Sequence, residues 1–418
     1  MPIGQTATLV TALYLASAVA QPTAGKAAEV FGPRRVLVTG VVAVAAGGLV
    51  GGVARDLLTL LISRVLIGLG TSCAYPTAML LIRKRAREAG MDQPPGLVLG
   101  GLQITGVATA SLGLPLGGLL VGAFGWRAVF LVNLPVALVT LVAALAWIQA
   151  DGPLRGRGVR DVATRLDLTG IAGFAAAMLA LLVFLFELPT AHWWILAISV
   201  VLWVLDVLWE LRASSPFLDV RLLAARPALT NTYVLFGLVM LCQYVVLYGL
   251  TQWIEAVRGY GESASGLLLL PMTLVSGVVI ALVSRRNSVR GPVIAAAVTA
   301  LAGSAGVLLL GSSAWIGLVA ILTFFFGAST GFAVAGYQTA LYAHAPPEQL
   351  GTASGLLRTF GYAGSIASSA ITGVVFHQQV SDHGIHVIAW IMIGVSLVLT
   401  VLTLAEGTLR THPAPPRA

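Results

Sequence analysis

Charged residues are scarce in this chain of 418 residues. Only 10% of its residues are Asp, Glu, Lys or Arg, whereas 58% are hydrophobic. A soluble domain carries roughly 25% charged residues, so the chain has too little polar surface to cover a water-soluble globule of its length. This scarcity excludes a soluble globular protein and favours a chain that resides in a lipid bilayer.

Cysteines and catalytic motifs are also scarce. The two cysteines, Cys73 and Cys242, lie within apolar segments and show no metal-ligand spacing. We interpret both as small packing residues, with a disulfide as the open alternative. The sequence has no Gly-x-x-x-x-Gly-Lys-Ser/Thr loop of an ATP-driven pump and no nucleophile–base constellation of a membrane enzyme. We therefore expect no metal, no cofactor and no enzymatic activity.

Apolar runs of about 20 residues, the length of a membrane-spanning helix, recur along the whole chain. The alternation that is typical of a membrane barrel is absent from the sequence. The pattern predicts an all-α, polytopic membrane protein with about 13 transmembrane helices. The predicted spans are 4–24, 34–53, 57–82, 97–123, 127–148, 166–187, 193–211, 229–254, 264–284, 291–311, 314–342, 352–376 and 386–406.

Basic residues concentrate in alternate loops between these spans. Of the 24 Lys and Arg residues, 19 lie on one side of the predicted membrane and 3 on the other, while Arg64 and Arg358 lie within spans. The positive-inside rule makes the richer side cytoplasmic, which predicts a multi-pass plasma-membrane protein with a cytoplasmic C-terminus. Because the charges are dispersed over short loops, we expect the lipid bilayer and not nucleic acid as a partner. We expect a monomer.

Residues 25–35 read Gly-Lys-Ala-Ala-Glu-Val-Phe-Gly-Pro-Arg-Arg. This segment resembles the signature loop that joins the second and third helices in the major facilitator superfamily, although Glu29 stands where Asp is commoner. An ordinary basic connector is the alternative interpretation. The resemblance implies a gating role for Gly25, Gly32, Glu29, Arg34 and Arg35.

A charged residue interrupts the apolar segment Leu-Ile-Ser-Arg-Val-Leu-Ile-Gly-Leu-Gly at 61–70. The segment resembles the fourth-helix motif of the same superfamily, which centres on one arginine. A charge within the membrane is costly and indicates function by default. The resemblance implies that Arg64 takes part in proton transfer, whereas an arginine that snorkels to the headgroups is the alternative.

The segment 106–118, Gly-Val-Ala-Thr-Ala-Ser-Leu-Gly-Leu-Pro-Leu-Gly-Gly, resembles the fifth-helix motif associated with antiporters. Its glycines predict close helix packing at a gate, and its proline, one position later than in the family pattern, predicts a kink. Generic small-residue packing is the alternative. The motif positions are Gly106, Gly113, Pro115, Gly117 and Gly118.

Four further segments, at 125–135, 216–222, 258–272 and 346–355, resemble the fourteen-helix drug:proton antiporter branch of the superfamily. The branch implies the major facilitator fold: two helical bundles with an inserted helix pair between them. Counted against this branch, span 4–24 corresponds to the second helix, and we expect either a start assigned too late or a shortened form. The expected domains are an N-terminal bundle, the inserted pair with its loops, a C-terminal bundle and a cytoplasmic tail, at 1–150, 151–228, 229–407 and 408–418.

Polar and aromatic residues within the spans indicate where a substrate would bind. Tyr244, Tyr248 and Gln252 follow one another at intervals of four residues, which places them on one face of a helix. Asp206 is the most embedded acidic residue, but we expect it to pair with Arg212 or to face water. The other candidates for the substrate cavity are Tyr75, Gln103, Tyr337 and Gln338. The alternative interpretation of each of these residues is a helix–helix hydrogen bond or an aromatic at the membrane interface.

These observations predict a secondary active transporter that exports amphipathic drugs or related small molecules in exchange for protons. Internal repeats of this kind place the binding site near the membrane midplane and expose it alternately to each side. Two alternatives remain open: an uptake or metabolite-export permease of the same fold, and a truncated membrane protein that does not transport.

Overall fold

A computed structural model describes residues 3–91, 94–152, 164–188, 192–286 and 288–405. These residues form helices and short connections, and no strand occurs among them. The predicted tail at 408–418 and the basic residues Arg155, Arg157 and Arg160 lie outside the described residues.

The helices follow one another with short turns. They are α1 (Ile3–Phe31), α2 (Pro33–Val53), α3 (Leu57–Ser72), α4 (Ala74–Glu88), α5 (Gly96–Phe124), α6 (Ala128–Leu131), α7 (Asn133–Trp147), α8 (Leu168–Phe186), α9 (Trp193–Glu210), α10 (Val220–Ala225), α11 (Pro227–Val245), α12 (Thr251–Ala256), α13 (Glu262–Val283), α14 (Arg290–Val307), α15 (Gly317–His344), α16 (Leu350–Val375) and α17 (Asp382–Ala405).

Ten helical segments of the described chain are long and apolar enough to cross a membrane. Three more long helices, α1, α5 and α16, coincide with predicted spans 4–24, 97–123 and 352–376. The prediction of an all-α chain of membrane-spanning helices is therefore confirmed. Some spans consist of two pieces, because Cys73 separates α3 from α4 and Val132 separates α6 from α7.

Large apolar side chains cover the outer faces of these helices. Trp147 is 80% exposed, Leu119 69% and Trp193 68%. A soluble monomer rarely exposes so large an apolar surface, whereas lipid tails solvate it. The exposed faces therefore agree with helices that contact lipid.

The chain forms two compact units. The first contains α1–α4, the second part of α5, α6–α10 and the first part of α16. Its core includes Phe130, Leu60 and Ile67, which are almost fully buried. Its segments are Met1–Pro94, Ala110–Ala225 and Ala345–Ala363.

The second unit has a larger apolar core. Trp253 is fully buried there, with Phe326 and Met272 among its neighbours in the same cluster. In α15, a methyl group added at Gly327 would lie 2.3 Å from the carbonyl oxygen of Met272, so this glycine permits close approach to α13. The segments of the second unit are Pro95–Thr109, Arg226–His344 and Gly364–Ala418.

Candidate functional site

Glu29 lies in the last turn of α1, beyond predicted span 4–24, and binds the first turn of α16. Its Oε1 accepts a hydrogen bond of 2.7 Å from the backbone N–H of Thr352, and its Oε2 accepts one of 3.0 Å from the Thr352 hydroxyl. The first N–H groups of a helix have no partner inside the helix, and a negative charge is favourable beside them. Glu29 thus supplies from α1 an acceptor that α16 lacks.

The environment of Glu29 makes its charge sensitive to pH. Burial raises the pKa of Glu29 from 4.5 to about 7, although the hydrogen bonds from Thr352 and the charge of Lys26 act to lower it. A pKa near neutrality allows this carboxyl group to change its charge in the physiological range. The contact with α16 is therefore one that a proton can alter.

Glycines bring the backbones of α1 and α16 into contact within the first unit. A methyl group added at Gly25 would lie 2.2 Å from the carbonyl oxygen of Gly351, and one added at Gly355 would lie 2.3 Å from that of Gln21. One turn further along α16, the Thr359 hydroxyl donates to the carbonyl of Ala18 over 2.8 Å. We call this contact, formed by Glu29, Gly25 and residues 351–359, the α1–α16 seam.

The paired arginines of the loop bind a neighbouring segment. The backbone N–H groups of Arg34 and Arg35 donate to the Asp151 carboxylate over 3.4 and 2.8 Å. Their guanidinium groups donate to the carbonyls of Leu145 and Gly152 over 2.8 and 3.0 Å. Asp151 therefore caps the N-terminus of α2, and the arginines bind carbonyls at the end of α7 and just after it.

Gly32 makes the turn between α1 and α2. Its φ is +99°, which side chains of other residues rarely allow, and an added methyl group would lie 2.3 Å from the Asp151 carboxyl carbon. The position therefore requires glycine both for its backbone and for the approach of Asp151.

Arg64 lies on α3 and is half-buried. Its guanidinium carbon is 4.7 Å from the centroid of the Phe130 ring, and no described carboxylate forms an ion pair with it. Its Nε has no hydrogen-bond partner among the described residues. A cation over an aromatic face gains about 0.5–2 kcal/mol, which holds the charge in place without neutralising it. Such a charge can attract an anionic group or repel a proton nearby.

A second arginine lies over an aromatic ring in the same unit. The guanidinium carbon of Arg358, on α16, is 4.0 Å from the centroid of the Tyr75 ring on α4. The sequence places Tyr75 among the substrate contacts but gives no role to Arg358. In the structure the two residues form a cation–π pair.

Three motif glycines of α5 have no close neighbours among the described residues. A methyl group added at Gly106, Gly113 or Gly117 would meet no described heavy atom within 4 Å. Tight packing at a gate therefore stays a prediction for these three positions. The surroundings of Pro115 and Gly118 lie outside what the structure describes.

Two predicted substrate contacts bind each other in the second unit. The side-chain amide of Gln103 donates to that of Gln338 over 2.8 Å, and both residues are buried. The neighbouring Tyr337 is also buried, and its ring packs against that of Phe236 with centroids 6.1 Å apart. A substrate role for these residues stays a prediction.

Tyr244 at the end of α11 and Tyr248 in the π-helical turn that follows lie together, but Gln252 does not share their face. The rings of Tyr244 and Tyr248 have centroids 5.7 Å apart, and the Tyr248 hydroxyl is 3.4 Å from that of Ser365. A π-helical turn at Val246–Leu250 comes before Gln252, which is exposed. The assumption of an uninterrupted α-helix is therefore wrong, since a π turn takes up an extra residue and rotates whatever follows.

The sequence profile of the Major Facilitator Superfamily matches residues 1–369 of this chain. The chain belongs to this superfamily. It is therefore a membrane transporter by family.

Curated relatives of this facilitator include several resistance proteins. An uncharacterized MFS-type transporter of Bacillus subtilis, YwoD, is 32% identical over 94% of this chain and 87% of its own length. The tetracenomycin C resistance and export protein of Streptomyces glaucescens is 29% identical over 88% of this chain and 68% of its own length. The multidrug resistance protein Stp of Mycobacterium tuberculosis H37Rv is 28% identical over 89% and 69%.

Solved structures agree with the facilitator fold. The human organic anion transporter MFSD10 (TETRAN) has a TM-score of 0.67 at 18% identity and covers 95% of this chain and 83% of its own. The proton:xylose symporter XylE has a TM-score of 0.63 at 12% identity, with 95% and 85% covered. At these identities the likeness shows the fold alone.

Several residues of this facilitator's polar contacts were missed by sequence reasoning. Asp151 follows α7 and belongs to no motif. Thr352 lies within the segment 346–355, whose resemblance to the antiporter branch assigns it no role. Gln243 and Thr330 share a hydrogen bond in the second unit. Arg358 could have been found from the sequence, because it is a charge within an apolar span. The other four residues carry no feature in a single sequence that marks them as contacts.

Proposed function

We propose that this facilitator exports amphipathic drugs or related small molecules across the plasma membrane in exchange for protons. The α1–α16 seam is the observation that carries the proposal. It joins the signature loop to the first turn of α16 through a carboxyl group that a proton can neutralise. Breaking and re-forming such a contact is how a transporter exposes its site alternately to each side.

The relatives support the substrate class. The Streptomyces glaucescens protein is named for resistance to and export of tetracenomycin C, and the Mycobacterium tuberculosis protein for multidrug resistance. Aromatic and amide side chains such as Tyr244, Tyr248 and Gln243 suit a pocket that binds amphipathic compounds. We further propose that α8 and α9 are the helix pair inserted between two bundles. The C-terminus is cytoplasmic and the chain is a monomer in this proposal.

Transport into inverted membrane vesicles tests this function. Vesicles that contain the protein are given an acidic interior, and accumulation of a fluorescent amphipathic cation is followed. We expect accumulation that a protonophore abolishes and that vesicles without the protein do not show. No accumulation, or accumulation that persists without the pH gradient, would contradict proton-coupled export; release in place of accumulation would favour the uptake permease.

Arg64→Lys tests the proton-transfer role. Lysine keeps the charge but loses the planar guanidinium that lies over Phe130, and this stacked geometry is not interchangeable with that of an ammonium group. We expect gradient-driven transport to fall about tenfold, within the range of a cation–π contact, while the protein still inserts. Arg55→Lys, an exposed arginine outside the spans, is the matched control; equal rates for the two variants would remove Arg64 from the mechanism.

A further inference from the structure

Three carboxylates are buried where α8 and α9 meet the segment that follows them. Asp167 is 6% exposed, Asp206 4% and Glu210 2%. A methyl group added at Gly170 would lie 2.5 Å from both Asp167 Oδ2 and Glu210 Oε1, so these two oxygens are at most about 5 Å apart. One added at Gly173, a turn along the same face, would lie 2.3 Å from Asp206 Oδ1.

Asp167 is placed to carry a negative charge. Its Oδ1 accepts hydrogen bonds from the Gly170 N–H over 3.1 Å and from the Trp209 indole over 2.9 Å. Its Oδ2 accepts one from the Phe217 N–H over 3.2 Å. Three N–H groups therefore satisfy the oxygens of this buried carboxylate.

Asp206 has the opposite environment. Neither of its oxygens has a hydrogen-bond partner among the described residues, and Glu210 Oε2 also lacks one. Glu210 Oε1 accepts a bond of 3.0 Å from the Leu218 N–H, and the Glu210 carboxyl group also shares a side-chain hydrogen bond with Asp167. A buried charge without partners is costly, and carboxyl groups as close as those of Asp167 and Glu210 cannot both ionise, so the stable form of the cluster carries a proton on Asp206 or Glu210.

Basic groups around the cluster do not compensate Asp206. Arg165 and Arg212 are exposed, and Arg221 donates to the carbonyl of Leu211. From α1, which packs on α8, Lys26 donates to the carbonyl of Pro216 over 2.9 Å, and Glu29 binds Thr352. Asp167 acts electrostatically on both Asp206 and Glu210, and Asp206 acts on Glu210.

We propose that Asp206 and Glu210 form a proton-binding site within the helix pair α8–α9, next to the charged Asp167. A Ca²⁺ ion fits less well, because it takes six to eight oxygen ligands, whereas both oxygens of Asp167 and Oε1 of Glu210 already accept N–H bonds. The site goes beyond the exchange of drug for proton and does not depend on it.

The site is connected to the signature loop through three successive residues. Phe217 and Leu218 donate their N–H groups to Asp167 and Glu210, and the carbonyl of Pro216 accepts from Lys26. Loss of the proton would place a second negative charge beside Asp167 and loosen this segment. The protonation state of Asp206 and Glu210 therefore affects residues 216–218, which bind Lys26 of the signature loop that contains Glu29.

Infrared spectroscopy of the purified protein tests the proposal. At about pH 8, where free carboxyl groups are ionised, we expect a C=O stretch of a protonated carboxylic acid in the wild-type protein. The intensity of this band is expected to fall in the double variant Asp206→Asn, Glu210→Gln and to stay unchanged in Asp56→Asn, which changes an exposed helix cap that asparagine serves equally well.

Three results would overturn the site: no such band in the wild type, an unchanged band in the double variant, or loss of the wild-type band when Na⁺ or Ca²⁺ is added, which would indicate a cation site. If the double variant does not fold, the wild-type band decides alone, since its absence at about pH 8 contradicts a bound proton. Each readout is independent of transport and leaves the proposed export untouched.

Discussion

The helices α5 and α16 are both rich in glycine, yet their glycines meet different surroundings. Gly106, Gly113 and Gly117 of α5 have no described heavy atom where a methyl group would reach, whereas Gly351 and Gly355 of α16 lie against the backbone of α1. The difference lies in hydrogen bonding. On α16, Thr352 and Thr359 bind Glu29 and a carbonyl of α1, and the glycines allow the distance that these bonds need.

The comparison teaches that glycine spacing alone does not identify a packed face. Small residues permit close approach in a membrane, where packing and hydrogen bonds replace the hydrophobic effect. A close helix–helix contact also needs a hydrogen-bond donor on one helix and an acceptor on the other. In this chain the α1–α16 seam has both, while the described part of α5 shows only the glycines.

Gly355→Ala is expected to have the largest effect. Its methyl group would lie 2.3 Å from the backbone oxygen of Gln21, and backbone cannot move aside as a side chain can. Overpacking costs about 1–3 kcal/mol, so we expect transport in vesicles to fall about 5- to 150-fold.

Gly373→Ala on the same helix is the matched control for that change. A methyl group at Gly373 would meet no described heavy atom within 4 Å, so we expect the wild-type rate. Similar losses of transport in the two variants would show that α16 tolerates alanine at neither position. The effect of Gly355→Ala could then not be attributed to the α1–α16 seam.

Glu29→Gln is expected to have a smaller effect, visible as a function of pH. Burial raises the pKa of Glu29 to about 7 in the folded protein, against 4.5 in the unfolded chain. Its contribution to stability is therefore complete below about pH 4.5 and is lost as the pH rises through about 7. Glutamine cannot ionise, so the variant gains a few degrees in Tm over the wild type between about pH 5 and 8.

The N-terminal cap Asp56 provides a control of opposite sign. Hydrogen bonds from the Thr59 backbone and hydroxyl lower the pKa of Asp56, so its contribution is lost as the pH falls. Asp56→Asn should therefore differ from the wild type only at acidic pH. A Tm difference for Glu29→Gln that is flat across this range would mean that the Glu29 carboxyl group does not titrate at the seam.

Gly113→Ala is expected to have the smallest effect. The added methyl group enters open space, and alanine favours a helix by about 1 kcal/mol over glycine. We expect transport within about twofold of the wild type and an equal or higher Tm. A large loss of transport would indicate that this face of α5 is packed in another state of the transport cycle.

Much of the fold could be predicted from the sequence, because length and hydropathy determine a membrane helix. The predicted spans match the described helices even where Cys73 or the π turn after Val245 divides them. Motif resemblance also gave the family. Arg64 was recognisable because a charge in an apolar run has no structural explanation of its own.

The partners of the site residues could not be predicted, because they lie far away in sequence. Glu29 and Thr352 are 323 positions apart, and Arg35 finds Asp151 across 116 positions. The expected pairing of Asp206 with Arg212 was wrong, since Asp206 has no hydrogen-bond partner among the described residues. Periodicity gives the face of a helix but not the helix opposite, and a π turn alters even the face.

Reversible cross-linking of the α1–α16 seam tests the central claim most directly. Cysteines replace Glu29 and Thr352 in a chain whose Cys73 and Cys242 are changed to serine, and a short, reducible bifunctional thiol reagent joins them in inverted vesicles. If the seam must open during transport, cross-linked protein transports nothing and recovers the rate of the untreated double variant after reduction. Transport that continues at that rate while the cross-link is intact would contradict the account.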